Sequence, residues 1–281
     1  MSSLNQMIVD QGPAFLSILI LNWIVSASSL IYSIKNWKTS NYNKFNAFAV
    51  MQFMFTTFGD LLLVIAMPVN AMNWGIASTS IVWAIGILCQ DTATFINNIL
   101  LAYRLRVFKQ VAKIPDWVEK TLYSFIVLIY VGPALISNFL LLGVGVSLLG
   151  LLIHASFYLL YLFNSVGISV TSVVLILKFN SQANKYQGSA GTETSNFKKK
   201  ETQKVVLVLM TGAFLLVTIG VLNIFVVSVF PLLDTICGLA LRIVFMLHLW
   251  YNIVIKRIVG GKKKEVGGAS QTHSVKKEEL K

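Results

Sequence analysis

The 281-residue chain is 56% hydrophobic and only 12% charged, with a mean hydropathy of +0.73. A soluble domain of this size carries roughly twice that charged fraction, so composition excludes one and assigns the chain to a membrane. Its net charge of +12 sits in polar segments between apolar stretches, where anionic lipid headgroups are the expected partner and nucleic acid is not.

Of the 23 Lys and Arg residues, 22 fall in four segments, 35–45, 102–120, 178–204 and 256–281, and the last, Arg242, lies inside an apolar stretch. Short segments rich in Lys and Arg are retained on the cytoplasmic side. The alternation therefore predicts an all-α membrane protein, a seven-transmembrane helix bundle with its N-terminus outside and its C-terminus cytoplasmic. A crossing takes about 20 mostly apolar residues. The spans are expected near 13–34, 46–68, 78–101, 121–142, 151–177, 205–229 and 232–255.

Residues 1–12 contain no basic residue and read as an extracellular N-terminus. The apolar stretch behind them is too long for the h-region of a cleaved signal peptide, so it is expected to remain as span one. Span two carries Asp60. Span three is the most polar, with CQDTATFINN supplying Gln90, Asp91, Thr92, Thr94, Asn97 and Asn98. Gln90, Thr94, Asn97, Leu101 and Arg104 follow helical spacing and share one face. Amides on that face need partners other than lipid, which makes this helix central.

Residues 121–177 contain no Lys, Arg, Asp or Glu, and Gly143, Gly145 and Gly150 are expected to turn the chain between spans four and five. The segment 178–204 reads as the longest cytoplasmic loop, polar and mobile. Pro231 and Asp234 mark a short outer turn before span seven. The basic tail, 256–281, is expected to be disordered.

Ionisable side chains at membrane depth are costly and are functional candidates by default. At about 1.5 Å per residue, Asp60 lies roughly 12 Å from the outer end of its span, Arg242 about 15 Å and Asp91 about 19 Å. The common depth predicts a central cluster in which Arg242 neutralises Asp60, Asp91 or both. A static ion pair that fixes helix register is the alternative reading.

His154 and His248 stand apart from any metal-ligand spacing, so packed or hydrogen-bonded histidines are expected. Asn164, Asn223 and Asn252 read as interhelical hydrogen-bonders. Cys89 and Cys237 lie in apolar segments and read as buried thiols. No Ser-His-Asp set, HExxH, phosphate loop or CxxC is present, and neither an enzyme activity nor a cofactor is expected. Span seven has no lysine for a retinal Schiff base. Trp37, Trp117, Trp250 and Tyr251 on the inner side, and Trp74 on the outer, suit interfacial anchoring.

The topology, together with GDLLLVIAMP in span two, LLAYRLRVF at the end of span three and LNWIV in span one, resembles the rhodopsin-like G-protein-coupled receptors. The resemblance implies a sodium-holding role for Asp60 and a transducer-facing role for Arg104, with Tyr103 and Arg106 beside it. Asn22 would match that family's first-helix asparagine. The chain departs from the family in having Tyr103 where an acid precedes the arginine and HLWYN where Asn-Pro-x-x-Tyr is expected. A divergent family, such as the seven-helix proteins of fungi and other microbial eukaryotes, describes it better.

The expected function is a plasma-membrane signalling receptor. A small-molecule or lipid ligand would shift helix packing, and a cytoplasmic G protein or other transducer would read the change. Thr192, Thr194, Ser195 and Thr202 are candidate phosphorylation sites. The alternatives are a small multi-pass transporter or proton-coupled carrier using Asp60, Asp91 and Arg242, and a scaffold or lipid-sensing protein.

Overall fold

The computed structural model describes residues 12–40, 43–71, 76–112, 114–144, 148–186, 192–226 and 236–250. These form α1 (Gly12–Thr39), α2 (Lys44–Ala71), α3 (Ile76–Ala112), α4 (Asp116–Ile129), a π turn (Tyr130–Ala134), α5 (Leu135–Val144), α6 (Leu148–Tyr186), α7 (Thr192–Val226) and α8 (Ile236–Trp250). The expected extracellular N-terminus, the basic tail, the Pro231–Asp234 turn and residues Trp74, Tyr251 and Asn252 lie outside the described residues, as does the side chain of Asn223.

Local chemistry accounts for the starts. The Phe45 backbone N–H donates to Asn43 Oδ1 at 2.9 Å, which caps α2. α4 starts after Pro115, and Asp116 and Glu119 in its first turn complement the helix dipole. Five helical stretches are long and apolar enough to cross a membrane: Leu16–Thr39, Lys44–Ala66, Ile81–Tyr103, Asp116–Leu140 and Leu152–Lys178. Gln203–Ile219 within α7, and α8, are shorter apolar helices.

The distribution of side chains is inverted relative to a soluble protein. Phe139, Phe163, Phe214 and Leu128 are 66–76% exposed, while Asn22, Ser26, Asp60, Asp91, Asn97 and Arg242 are all within 4% of fully buried. Lipid tails are as apolar as leucine, so this surface needs no aqueous shield and the interior collects the groups that need partners. On α1 the buried Asn22, Ser26, Ser29 and Ser33 form a stripe of small and polar residues facing the bundle.

α3 is central, as its polar face predicts: 56% of its apolar stretch is buried against 28% for α1. Ile96 and Leu100 of α3 share one core with Phe45, Ala49 and Phe53 of α2, Tyr161 and Leu162 of α6, Leu216 of α7 and Val244, Phe245 and Leu249 of α8. A second core joins α3, α4 and α6 through Leu101, Ala102, Ile126 and Ile168.

One expectation needs correction: the segment 178–204, read as a mobile loop, is mostly helical among the described residues, since α6 runs to Tyr186 and α7 begins at Thr192. The helix that carries span three also runs on past 101, to Ala112. An α-helix satisfies its backbone internally, so it extends into water wherever no residue breaks it, and hydropathy marks only the end of the membrane. Within the stretch expected as span four, the π turn interrupts the helix and contains Pro133. Proline removes a backbone donor and crowds the preceding turn, and widening the turn relieves both. Gly143 and Gly150 of the glycine cluster lie in the last turn of α5 and the first turn of α6, and the turn expected between spans four and five falls on 145–147, outside the described residues.

Trp117 is 67% exposed. Trp250 packs against the α6–α7 core of Val173, Ile176, Val205 and Leu209.

α2 and α3 approach closely at Gly59 and Gly86. A methyl carbon at Gly59 would lie 2.9 Å from the Gly86 carbonyl oxygen and 3.1 Å from Cys89 Cβ. Gly59→Ala is therefore expected to cost about 1–3 kcal/mol by overpacking. At Gly167, which faces open space, the same change is expected to be neutral or to stabilise by up to about 1 kcal/mol. Unfolding midpoints of the two variants in detergent check the contrast, and equal losses would contradict the close approach.

Candidate functional site

Three polar clusters branch from α3. The first holds the ion pair. Arg242 of α8 donates from Nε to Asp60 Oδ2 at 2.9 Å and from Nη2 to Oδ1, a bidentate contact between groups that are 4% and 1% exposed. Ser26 Oγ of α1 donates to Asp60 Oδ2 at 2.6 Å, and Gln90 Nε2 of α3 donates to Oδ1 at 2.9 Å. The third guanidinium nitrogen, Nη1, donates to the Gly238 carbonyl at 2.5 Å.

Gly238 lets the guanidinium lie against its own helix. A methyl carbon there would sit 2.9 Å from Arg242 Nη1 and 3.5 Å from Asn22 Nδ2. Four helices thus meet on one carboxylate. The fork of arginine suits this task, because its planar donors match two carboxylate oxygens at once.

The sequence leaves open whether Arg242 neutralises Asp60, Asp91 or both. The ion pair is with Asp60. The sodium that the receptor resemblance implies does not fit there. A carboxylate offers about four lone-pair positions, and Ser26, Gln90 and two nitrogens of Arg242 already donate to them. A further cation would also face the guanidinium.

Asp91 belongs to the second cluster. It is 0% exposed, and Asn138 Nδ2 of α5 donates to its Oδ2 at 2.8 Å. His154 Nδ1 of α6 lies 3.7 Å from the same oxygen and 3.3 Å from Ser137 Oγ. The π turn supports this cluster directly. Ser137 Oγ and Asn138 Nδ2 each donate to the Ala134 carbonyl at 2.9 Å, and the Tyr130 hydroxyl lies 2.7 Å from Thr92 Oγ1 of α3. Tyr130 also stacks on Phe95 with centroids 4.5 Å apart.

The third cluster lies further along α3. Asn97 Nδ2 donates to the Tyr161 hydroxyl at 2.9 Å, and its Oδ1 is 3.4 Å from both Gln52 Nε2 and His248 Nδ1. Asn98 Oδ1 accepts from Asn164 Nδ2 at 3.1 Å and Ser165 Oγ at 3.0 Å. Thr94 donates to its own helix at the Gln90 carbonyl, 2.9 Å away, and makes no cross-helix bond among the described residues. Both histidines are hydrogen-bonded, as expected. Cys89 and Cys237 are buried free thiols.

On the face formed by Gln90, Thr94 and Asn97, Gln90 is half-buried and the other two are buried, and the face serves two separate clusters. Tyr103 is 43% exposed and its ring lies 5.5 Å from that of Phe45. Arg104 and Arg106 are on the helical continuation of α3, and their side chains lie outside the described residues.

No family model, curated protein or solved structure matches the chain.

Sequence reasoning missed Ser26, Gln52, Ser137, Asn138 and Tyr161. The signal for Asn138 was present, in Gly132-Pro133 within an apolar run followed by Ser137 and Asn138. Ser26 was readable only as one step of a stripe that begins at Asn22. No group of three His, Cys, Asp or Glu able to hold a metal ion occurs among the described residues.

Removing Arg242 strands a buried carboxylate, whereas removing Ser26 Oγ leaves the pair intact. Arg242→Leu is expected to cost about 3–5 kcal/mol, and Ser26→Ala about 1.5–3 kcal/mol, the value of a hydrogen bond to a charged group. Unfolding in mixed micelles ranks them, and a Ser26→Ala loss larger than that of Arg242→Leu would contradict the assignment.

Proposed function

We propose that the chain is a seven-helix membrane receptor with its N-terminus outside. In this reading a ligand changes helix packing around the Asp60–Arg242 pair, and a cytoplasmic transducer reads the change. The observation that carries the proposal is the pair itself. It ties α8 to α2, recruits α1 and α3, and is sealed from solvent. A sealed polar lock with a few discrete arrangements is the kind of element whose equilibrium a ligand can bias.

The inner ends of three helices support a transducer-facing surface. α3, α6 and α7 run past their apolar stretches, and α6 packs against both of the others. The backbone of α3 beyond Tyr103 adds about 13 Å at 1.5 Å per residue. These extensions carry Arg104, Arg106, Lys109, Lys185, Lys198, Lys199 and Lys200. Thr192, Thr194, Ser195 and Thr202 lie on the same extension of α7, where added phosphate would lower the local positive charge. Anionic headgroups are the natural neighbours of such a surface when no protein covers it.

A second reading, a proton-coupled carrier, is favoured by one observation, the proximity of His154 to the buried Asp91. Relay groups of this type line transport pathways. A flux assay separates the two readings. Saturable, pH-dependent uptake into proteoliposomes that Asp91→Asn abolishes would replace the receptor reading.

For the receptor, Asp60→Asn is expected to raise basal nucleotide exchange on a co-reconstituted G protein several-fold by loosening the lock. Arg104→Ala is expected to abolish the response without lowering the unfolding midpoint. Topology is checked by cysteine labelling: Lys198→Cys should react only after permeabilisation, and Asn73→Cys in intact cells. Labelling of position 198 from outside would overturn the orientation.

A further inference from the structure

We propose that Asp91, Asn138, Ser137 and His154 form a binding site for a small monovalent alkali cation, separate from the Asp60–Arg242 lock. Two independent features of the structure point there.

The first is a surplus of acceptors. The Asn138 amide nitrogen is committed to the Asp91 carboxylate and the Ala134 carbonyl, at 2.8 and 2.9 Å. The oxygen of the same carboxamide is buried and has no hydrogen-bond donor among the described residues, although Asn138 is only 3% exposed. A buried amide oxygen without a donor is costly in a protein interior. It is an acceptor with capacity for a positive ligand. Asp91 adds a carboxylate and Ser137 a hydroxyl oxygen, so the group presents hard oxygen atoms.

The second is the backbone device that assembles it. The π turn at Tyr130–Ala134 shifts the helical register of α5, and Ser137 and Asn138 both fold back onto the carbonyl of the turn's last residue. A π turn is rare, and within a span it commonly marks a functional position. Here it delivers two polar side chains from an otherwise apolar helix to the Asp91 carboxylate.

The donor set defines the ion. A single carboxylate with neutral oxygen donors suits a monovalent ion, and a transition metal takes a His- or Cys-rich group, of which no three-member example occurs among the described residues. His154 completes the site on its outer side. Its side chain is 23% exposed while Asp91 is fully buried, so it is the member of the group that reaches the surface of the bundle. A cation beside a carboxylate at membrane depth offsets the cost of burying that charge.

The test uses the purified full-length chain in detergent, with ionic strength held constant by N-methyl-D-glucamine chloride and NaCl or KCl titrated in its place. Binding to the folded state raises the unfolding midpoint in a saturable way. A rise of about 2–4 °C at saturation is expected for at least one of the two ions. Asp91→Asn should abolish the rise. Asn138→Ala, which keeps the carboxylate, should raise the half-saturating concentration at least tenfold, and it serves as the second variant if Asp91→Asn does not fold. Asp60→Asn should leave the rise in place.

No saturable rise with either ion would overturn the proposal, as would a rise that Asp91→Asn and Asn138→Ala leave unchanged. The measurement involves no transducer. Failure here leaves the receptor reading standing, and failure of nucleotide exchange leaves the cation site standing.

Discussion

A buried carboxylate clasped by a guanidinium is the constraint around which the rest of the bundle is arranged. Asp60 and Arg242 lie 182 residues apart in sequence and in helices that carry almost no other charge. In a low-dielectric interior neither group is tolerable alone, so any packing that buries one must bring the other to it. Ser26 and Gln90 then complete the carboxylate, and Gly238 leaves room for the guanidinium. The pair thereby ties the rotations of α1, α2, α3 and α8 to one another.

The two interior carboxylates are handled by different physics. Asp60 is balanced by a full positive charge and saturated with donors. Asp91 is held by a neutral amide, with an imidazole at longer range. Neighbouring positions on α3 send Gln90 to one cluster and Asp91 to the other, because successive residues point about 100° apart around a helix. One helix therefore serves a closed lock and an acceptor-rich site at nearly the same depth. Further along, Asn97 and Asn98 repeat the pattern with wholly neutral partners.

Much of the architecture was legible in the sequence. The membrane class and the all-helical character followed from composition and apolar patterning, and the central place of α3 from its amides, which lipid cannot satisfy. Arg242 stood out as a lone charge in an apolar stretch and does hold an ion pair. Its choice of Asp60 was not legible, since depths that differ by a few ångströms do not discriminate between carboxylates and rotation about the helix axis does. Asn138 carried only an indirect signal, Gly132-Pro133 within an apolar run, and its contact with Asp91 follows the π turn formed there. The helical extensions to Ala112 and Tyr186 were hidden for a different reason: hydropathy reports where lipid ends, while a helix ends only where its backbone bonding is broken.

The central claim is that Asp60 and Arg242 act as one unit, and a double-mutant cycle tests it most directly. Asp60→Asn, Arg242→Gln and the double variant are unfolded in mixed micelles, with Asp91→Asn in place of Asp60→Asn as the control cycle. Contacting residues in one network show interaction energies of about 0.5–3 kcal/mol. The account predicts a coupling near the top of that range for Asp60 with Arg242, so that the double variant is little worse than Arg242→Gln alone, and a much smaller coupling for Asp91. Additive losses for Asp60 and Arg242, or a larger coupling to Asp91, would contradict it.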